Sequence, residues 1–242
     1  MRLDKFLSHT GFGSRKEVKQ LLKKKVVRVN DQVVKKGDYI LNLNQDHISV
    51  NGETITYQEF IYLMLNKPAG YLSATEDNFQ KTVIDLLQPE EQHFNPFPVG
   101  RLDKDTEGLL LLTNDGELAH FLLSPKKHVK KTYYAEVVGV MDLEDIERFK
   151  LGIVLEDGYK CLPAELQIIE QTDRTSKVLI TVEEGKFHQV KRMVLACGKE
   201  VNYLKRQSMA SLKLDETLKS GEYRPLDKEE LDQLKEFLPQ DK

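Results

Sequence analysis

The 242-residue sequence predicts an α+β protein in two parts. Three observations carry that expectation. Short, fully apolar runs bounded by turn residues, at 60–65, 109–112 and 178–182, read as buried strands too short to be helices. Between them lie apolar stripes at helical spacing, among them Val18/Leu21/Leu22, Leu118/Phe121/Leu122 and Val190/Met193/Val194/Cys197. Charge then divides the chain. Residues 1–40 hold eleven Lys and Arg against four acids, a balance of +7, and since the whole chain is −3 the remainder carries −10.

The basic head has a readable order. Leu3, Phe6 and Leu7 share one helical face, which Gly11 and Gly13 end, and Ser14 with Glu17 three residues on is a capping-box signature for a second helix. On that helix Val18, Leu21 and Leu22 turn one way, while Arg15, Lys16, Lys19 and Lys23 fall within about 100° of one another on a neighbouring face. Val27 and Val29 alternate with Arg28, and Asn30-Asp31 makes the turn of a small hairpin toward Val33-Val34. Like charges at this density oppose folding, so the free face, with Arg2, Lys5 and Arg28, is expected to meet a polyanion. Residues 51–59 are polar and turn-like and read as a linker.

In the body, Lys67-Pro68 and Gly70 enforce a turn at the end of the first strand, presenting Lys67 and Tyr71. The loop Gly100-Arg101-Leu102-Asp103-Lys104-Asp105-Thr106-Glu107-Gly108 crowds acids ahead of the strand at 109–112. A solvated loop tip is one reading. A calcium loop is a second, but it fails because its twelfth position is Asn114 and the residues between form a strand. A third is one catalytic carboxylate supported by a cation. Downstream, Asp115-Gly116-Glu117 opens a helix that Ser124-Pro125 stops, and Lys126 to Lys131 lead into Tyr133 and Tyr134 on a strand. A surface helix at 142–150 ends near Gly152, strands with loops follow to 172, and Tyr203, Leu204 and Arg206 read as the finish of the sheet, before a terminal helix from Asp227. The segment 184–193 turns from a strand into a helix whose N-terminus carries Lys186, His188, Lys191 and Arg192; cations there oppose the helix dipole unless an anion is present. Two cysteines, no apolar leader and no long apolar span give the expectation of a soluble protein of a reducing cytoplasm.

Gly100-Arg101-Leu102-Asp103 with Thr106, Gly108 and the strand behind it resembles the signature of the pseudouridine synthases. Leu65-Asn66-Lys67-Pro68-Ala69-Gly70-Tyr71, Ser124 to Tyr133, and Glu184-Gly185-Lys186-Phe187-His188-Gln189-Val190-Lys191-Arg192-Met193 are similar to that family's other motifs, in order. Arg2-Leu3-Asp4-Lys5-Phe6-Leu7, Gly13-Ser14-Arg15 and Val27-Arg28-Val29-Asn30 resemble the S4 RNA-binding domain. The combination is most similar to the RsuA type, which acts on small-subunit ribosomal RNA.

The resemblance implies an S4 domain over 1–50, a linker over 51–59, and a catalytic domain over 60–242 built on a larger mixed, mainly antiparallel sheet with flanking helices. It implies Asp103 as the catalytic carboxylate, Lys191 as the cation beside it, Tyr133 stacked on the uracil, and Arg101 holding RNA with the base extruded. Leu65 and Leu204 are expected as apolar wall, and Lys67, His188, Gln189 and Arg192 join the head's cations as RNA contacts. The expected reaction uses no cofactor and no metal, on 16S ribosomal RNA or a small-subunit assembly intermediate, by a monomer with no membrane attachment. Attack by Asp103 and proton removal at C2′ remain open as routes. So do a large-subunit target, a non-catalytic assembly factor, and a glycosidase-like hydrolase pairing Asp103 with Glu107.

Overall fold

The computed structural model describes residues 1–236 and 238, and the chain forms two compact units. The first comprises Met1–Ile61 with Gln88–Asn95. Helix α1, Leu3–His9, buries Leu3, Phe6 and Leu7, and α2, Arg15–Lys23, buries Val18 and Leu22. The capping box forms as the spacing predicts: the Glu17 carboxylate accepts the Ser14 amide and hydroxyl, both at 2.7 Å. Strands β1 (Val27–Val29), β2 (Gln32–Val33), β3 (Ile48–Val50) and β4 (Glu53–Ile55) make an antiparallel sheet in the order β2-β1-β3-β4. A four-residue helix α3, Pro89–Gln92, lies in the returning segment.

The linker expected at 51–59 is corrected by β4. Asn51 and Gly52 both take positive φ, as a two-residue hairpin turn demands, and Glu53–Ile55 pairs with β3. Tyr57 then stacks on Phe6 with ring centroids 5.7 Å apart, so the first unit runs on to Ile61.

The second unit holds Tyr62–Leu87 and the chain from Pro96. Its strands are β5 (Tyr62–Lys67), β6 (Phe97–Pro98), β7 (Glu107–Thr113), β8 (Lys131–Val138), β9 (Glu165–Gln171), β10 (Thr175–Val182), β11 (Glu200–Met209), β12 (Leu212–Lys213) and β13 (Tyr223–Pro225). They form one sheet, β13-β5-β7-β11-β8-β10-β9, with β12 on β11 and β6 on β7. All its ladders are antiparallel except β7 with β11. Strand β11 therefore lies in the middle of the sheet, where the sequence suggested its finish. The last long strand inserts between β7 and β8, a pairing that no local pattern records.

Helices α4 (Gly116–Leu123), α5 (Leu143–Leu151), α6 (Gln189–Ala196) and α7 (Lys228–Lys235) complete the unit. Asp115 caps α4, accepting the amides of Glu117 and Leu118 at 3.1 and 3.0 Å. One core gathers Leu109, Leu111, Leu118, Phe121 and Leu122; the other joins Val178 and Ile180 of β10 to Phe149 of α5 and to Met193 and Val194 of α6. Strand β7 is covered on both faces from Gly108 to Thr113, which explains its unbroken apolar run. Among the described residues no helix is long and apolar enough to cross a membrane.

The parallel β7–β11 contact pairs Gly108 with Arg206, and a Cβ on Gly108, whose φ is +99°, would meet the Arg206 carbonyl oxygen at 2.3 Å. Gly116 has nothing within 4 Å of such a Cβ. Gly108→Ala should therefore lower unfolding free energy by roughly 2–3 kcal/mol, from backbone strain plus overpacking. Gly116→Ala should be neutral or slightly stabilising. Urea midpoints at unchanged slope measure both.

Candidate functional site

The loop between β6 and β7 is held from below. Lys67, at the end of β5, is fully buried, and its ammonium donates to the carbonyls of Thr106 (2.9 Å), Pro68 (3.0 Å), Asp103 (3.2 Å) and Lys104 (3.3 Å). Burial draws its pKa down to about 8, against the raising influence of Asp105, Glu107 and Asp103. From the side, the Ser73 hydroxyl donates to the Leu102 carbonyl and accepts the Leu102 amide, at 2.9 and 3.0 Å. The Gly70 amide donates to the Lys104 carbonyl at 2.7 Å, and the Lys104 ammonium to the Gln80 side chain, also at 2.7 Å. Lys67 as an RNA contact is thus corrected: no part of it reaches solvent.

The Asp103 carboxyl, 26% exposed, lies between two nitrogen bases from one segment. Its Oδ2 is 3.5 Å from Lys191 Nζ and its Oδ1 is 3.5 Å from His188 Nε2. Helix α6 creates this arrangement by placing Lys191 three residues after His188, its N-cap, on the same side. His188 itself takes the left-handed conformation, φ 47° and ψ 35°, which turns it back over the helix end. Lys191 is gripped more tightly by a residue that sequence reasoning left aside: Asp105 accepts it at 2.6 and 2.8 Å. That hydrogen bond, ahead of opposing desolvation, holds Asp105 below the usual carboxylate range. The acid-x-acid spacing at 103 and 105 was the available signal.

A cavity open to solvent collects these groups. Its lining includes Arg101, Asp103, Thr106, Tyr133, Lys186, His188 and Lys191 with the apolar Val182, Val190 and Leu204. Tyr133 sits on β8 between Ile180 of β10 and Arg206 of β11. The Thr106 hydroxyl is buried without a hydrogen-bond partner. Leu204 is wall as expected; Leu65 is not, being wholly buried within β5 away from the lining.

The turn from β10 into α6 is built on Glu184, whose buried carboxylate accepts the Tyr159 hydroxyl (2.7 Å), the Leu162 amide (2.8 Å) and the Gln189 amide group (2.9 Å). The Gln189 side-chain oxygen in turn accepts the Lys186 amide at 2.8 Å. Gln189 as an RNA contact is corrected accordingly: its polar atoms are spent on this turn, and only 5% of it is exposed. Arg192 is likewise redirected, its largely covered guanidinium pairing with Asp157 at 2.6 Å and Glu156 at 3.6 Å. Arg101 is exposed at the cavity.

In the first unit, Arg2, Lys5, Arg15, Lys16, Lys19, Lys23 and Arg28 lie at the surface, Lys5 and the α2 row among them. Arg2 pairs with Asp4 at 2.7 Å, and Arg28 donates to the neutral Asp31 carbonyl at 2.8 Å; of those seven only Arg2 is in an ion pair among the described residues, and the α2 row is the largest group of the remaining charges on one element. Among the described residues no group of three or more His, Cys, Asp or Glu is arranged to hold a metal ion. Cys161 and Cys197 are free and buried, and burial pushes both thiols up to about 11.

The family model for RNA pseudouridylate synthases matches residues 61–196, and that for the S4 domain matches residues 1–46. An uncharacterized RNA pseudouridine synthase of Bacillus subtilis is 52% identical, over 98% of this chain and 99% of its own length. A ribosomal small subunit pseudouridine synthase A of Vibrio cholerae is 41% identical, over 96% and 98%. A ribosomal large subunit pseudouridine synthase B of Bacillus subtilis is 39% identical, over 97% and 95%. The crystal structure of a pseudouridylate synthase superposes with a TM-score of 0.68 at 34% identity, covering 97% of this chain and 99% of that one. The chain therefore belongs to the RNA pseudouridylate synthase family, with an S4 domain at its head, and converts uridine in RNA to pseudouridine.

Proposed function

We propose that this enzyme modifies a uridine of small-subunit ribosomal RNA, with Asp103 as the catalytic carboxylate, Tyr133 as the ring against the uracil and Lys191 as the cation beside Asp103. The observation that carries the catalytic part is the shared cavity, in which Asp103 has Lys191 on one oxygen and His188 on the other while Tyr133, Val182 and Leu204 supply an apolar bed. The reaction breaks the C1′–N1 bond, turns the base and forms a bond from C1′ to C5, the C5 proton leaving to solvent and the freed N1 taking one up, with no net change of oxidation state. An everted uracil needs an apolar, partly stacked surface to leave its helix, and one ionised carboxylate to attack carbon or take the C2′ proton.

A hydrolytic pairing with Glu107 has little support, because the Glu107 carboxylate is occupied by the Tyr203 hydroxyl at 2.7 Å and lies outside the cavity lining. The small-subunit target rests on the resemblance of Leu65 to Tyr71 and of Ser124 to Tyr133 to the RsuA type; a relative named for the large subunit is nearly as similar as one named for the small subunit. Pseudouridine mapping of both ribosomal RNAs, with and without the gene, decides between them: loss of a small-subunit site supports the proposal, and loss of a large-subunit site replaces it.

Asp103→Asn should abolish tritium release from 5-tritiated uridine in RNA while leaving RNA affinity nearly intact; substantial residual release would remove Asp103 from its role. Lys16→Gln and Lys19→Gln should each weaken RNA binding and flatten the salt dependence by roughly 0.7–0.9 in log–log slope for every phosphate that is no longer neutralised. The Lys67 clamp gives a pH prediction. Above about pH 8 its amine loses one of three N–H donors beneath the Asp103 loop, so turnover should fall as pH rises through that value. Lys131, also drawn down to about 8 by burial and by Arg206, titrates in the same range. Lys67→Met should lower turnover at neutral pH and abolish the alkaline fall; retention of the fall in that variant would assign it to Lys131.

A further inference from the structure

Beside the cavity one aromatic ring faces outward. Phe187 is 76% exposed, on a segment whose neighbours are tied down by hydrogen bonds. Its ring is stacked on the His188 imidazole, with centroids 3.8 Å apart and planes 18° from parallel. The imidazole in turn approaches Asp103, its Nε2 3.5 Å from Oδ1. One face of Phe187 is thus covered by a residue of the cavity, and its exposure lies on the other.

The segment that carries the ring is also held in place. Gln189 accepts the Lys186 amide at 2.8 Å and donates to Glu184 at 2.9 Å, so the residues on both sides of Phe187 are tied into the Glu184 turn. The left-handed backbone at His188, φ 47°, fixes the direction in which the two rings leave the chain. A large apolar ring exposed to water on an anchored segment, stacked on a residue that approaches the carboxylate, offers its open face to a flat partner.

RNA supplies such a partner. When a uridine is everted, the base next to it loses a stacking neighbour and exposes a π face. The spacing of Phe187 on His188 is close to the ~3.4 Å rise between stacked bases, so a base placed on Phe187 would continue the same column. The uracil itself belongs elsewhere, since Tyr133, Val182 and Leu204 line the cavity and Phe187 does not.

We propose that Phe187 is the stacking platform for the nucleobase adjacent to the target uridine, a positioning residue that holds the RNA with its neighbour in register while the uridine occupies the cavity. This rests on the reading of that cavity as the uridine site.

The test uses the full chain carrying Asp103→Asn, so that RNA is not turned over, and fluorescence anisotropy with a short labelled single-stranded RNA containing one uridine flanked by adenosines. Phe187→Ala should weaken binding roughly five- to one-hundred-fold. Phe187→Trp should match or exceed the parent, and Phe187→Leu, equally apolar but without a π face, should fall well below it. On the same RNA with abasic nucleotides on both sides of the uridine, parent and Phe187→Ala should bind alike. Equal binding of parent and Phe187→Ala to the intact RNA, full retention by Phe187→Leu, the same Phe187→Ala deficit on the abasic RNA, or failure of the parent to bind the intact RNA would each overturn the proposal. Pseudouridine formation by Asp103→Asn would instead overturn the reading of Asp103 and leave this binding measurement standing.

Discussion

A single buried ammonium organises the site. Three carbonyls of one tight loop, those of Asp103, Lys104 and Thr106, converge on a point where no strand can pair with them, and the Lys67 ammonium fills it, donating to the Pro68 carbonyl as well. Three tetrahedrally disposed N–H groups can serve converging acceptors that a planar guanidinium or a neutral amide could not. Burial without a carboxylate in contact is expensive: a fall from 10.5 to about 8 corresponds to about 3 kcal/mol against the charged form. The structure tolerates this because the clamp ties three carbonyls of the Asp103 loop to one point beneath it, and a loop free to move there would scatter the position of the Asp103 carboxylate. The adjacent Pro68 and the Gly108–Arg206 approach fix the two ends between which the clamp works.

Above the clamp, the ion cluster divides its labour unevenly. Lys191 is bonded by Asp105 at hydrogen-bonding distance on both oxygens, while its separation from Asp103 is 3.5 Å. The longer contact is an electrostatic one that leaves the lone pairs of Asp103 free. A carboxylate whose oxygens were saturated by short N–H bonds would be a poorer nucleophile and a poorer base. Asp105, largely in solvent, therefore serves by anchoring the cation, and Asp103, more sheltered, receives its field without being quenched by it.

What the sequence reveals here is what local chemistry decides. The Ser14–Glu17 box, the Asn30-Asp31 turn, the Asp115 cap and the apolar face of α6 depend on neighbours a few residues apart, and each forms as its spacing predicts. The meeting of Asp103 with Lys191 is nonlocal, and was legible only because two motifs of one family bracket it. The misplacements share one cause, burial decided at long range. Lys67, Gln189 and Arg192 are polar residues at strand and helix ends, which ordinarily face water. Each is instead drawn in by acceptors from distant segments: loop carbonyls, Glu184, and Asp157 with Glu156. The central position of β11 was hidden for the same reason, since a strand carries no local mark of which partners it will take.

Burial also sorts the cations of an acidic body by task. After residue 40 the chain carries a formal charge of −10, which by itself would repel RNA. Around the cavity the balance is different: Arg101, Lys186 and Lys191 face Asp103 and Glu184, and Glu184 is sealed by three donors of its own. The cations that lie inside, Lys67, Lys131 and Arg206, donate to backbone carbonyls and hold strands and loops in place. Of those left outside, Lys186 lies over the Tyr159 ring with its ammonium 4.6 Å from the centroid, and Arg101, exposed at the cavity, has its charge available to a phosphate. A charge already committed to the architecture cannot also bind a ligand, so the net charge of the body says little about its partner, and the exposure of each cation says a good deal.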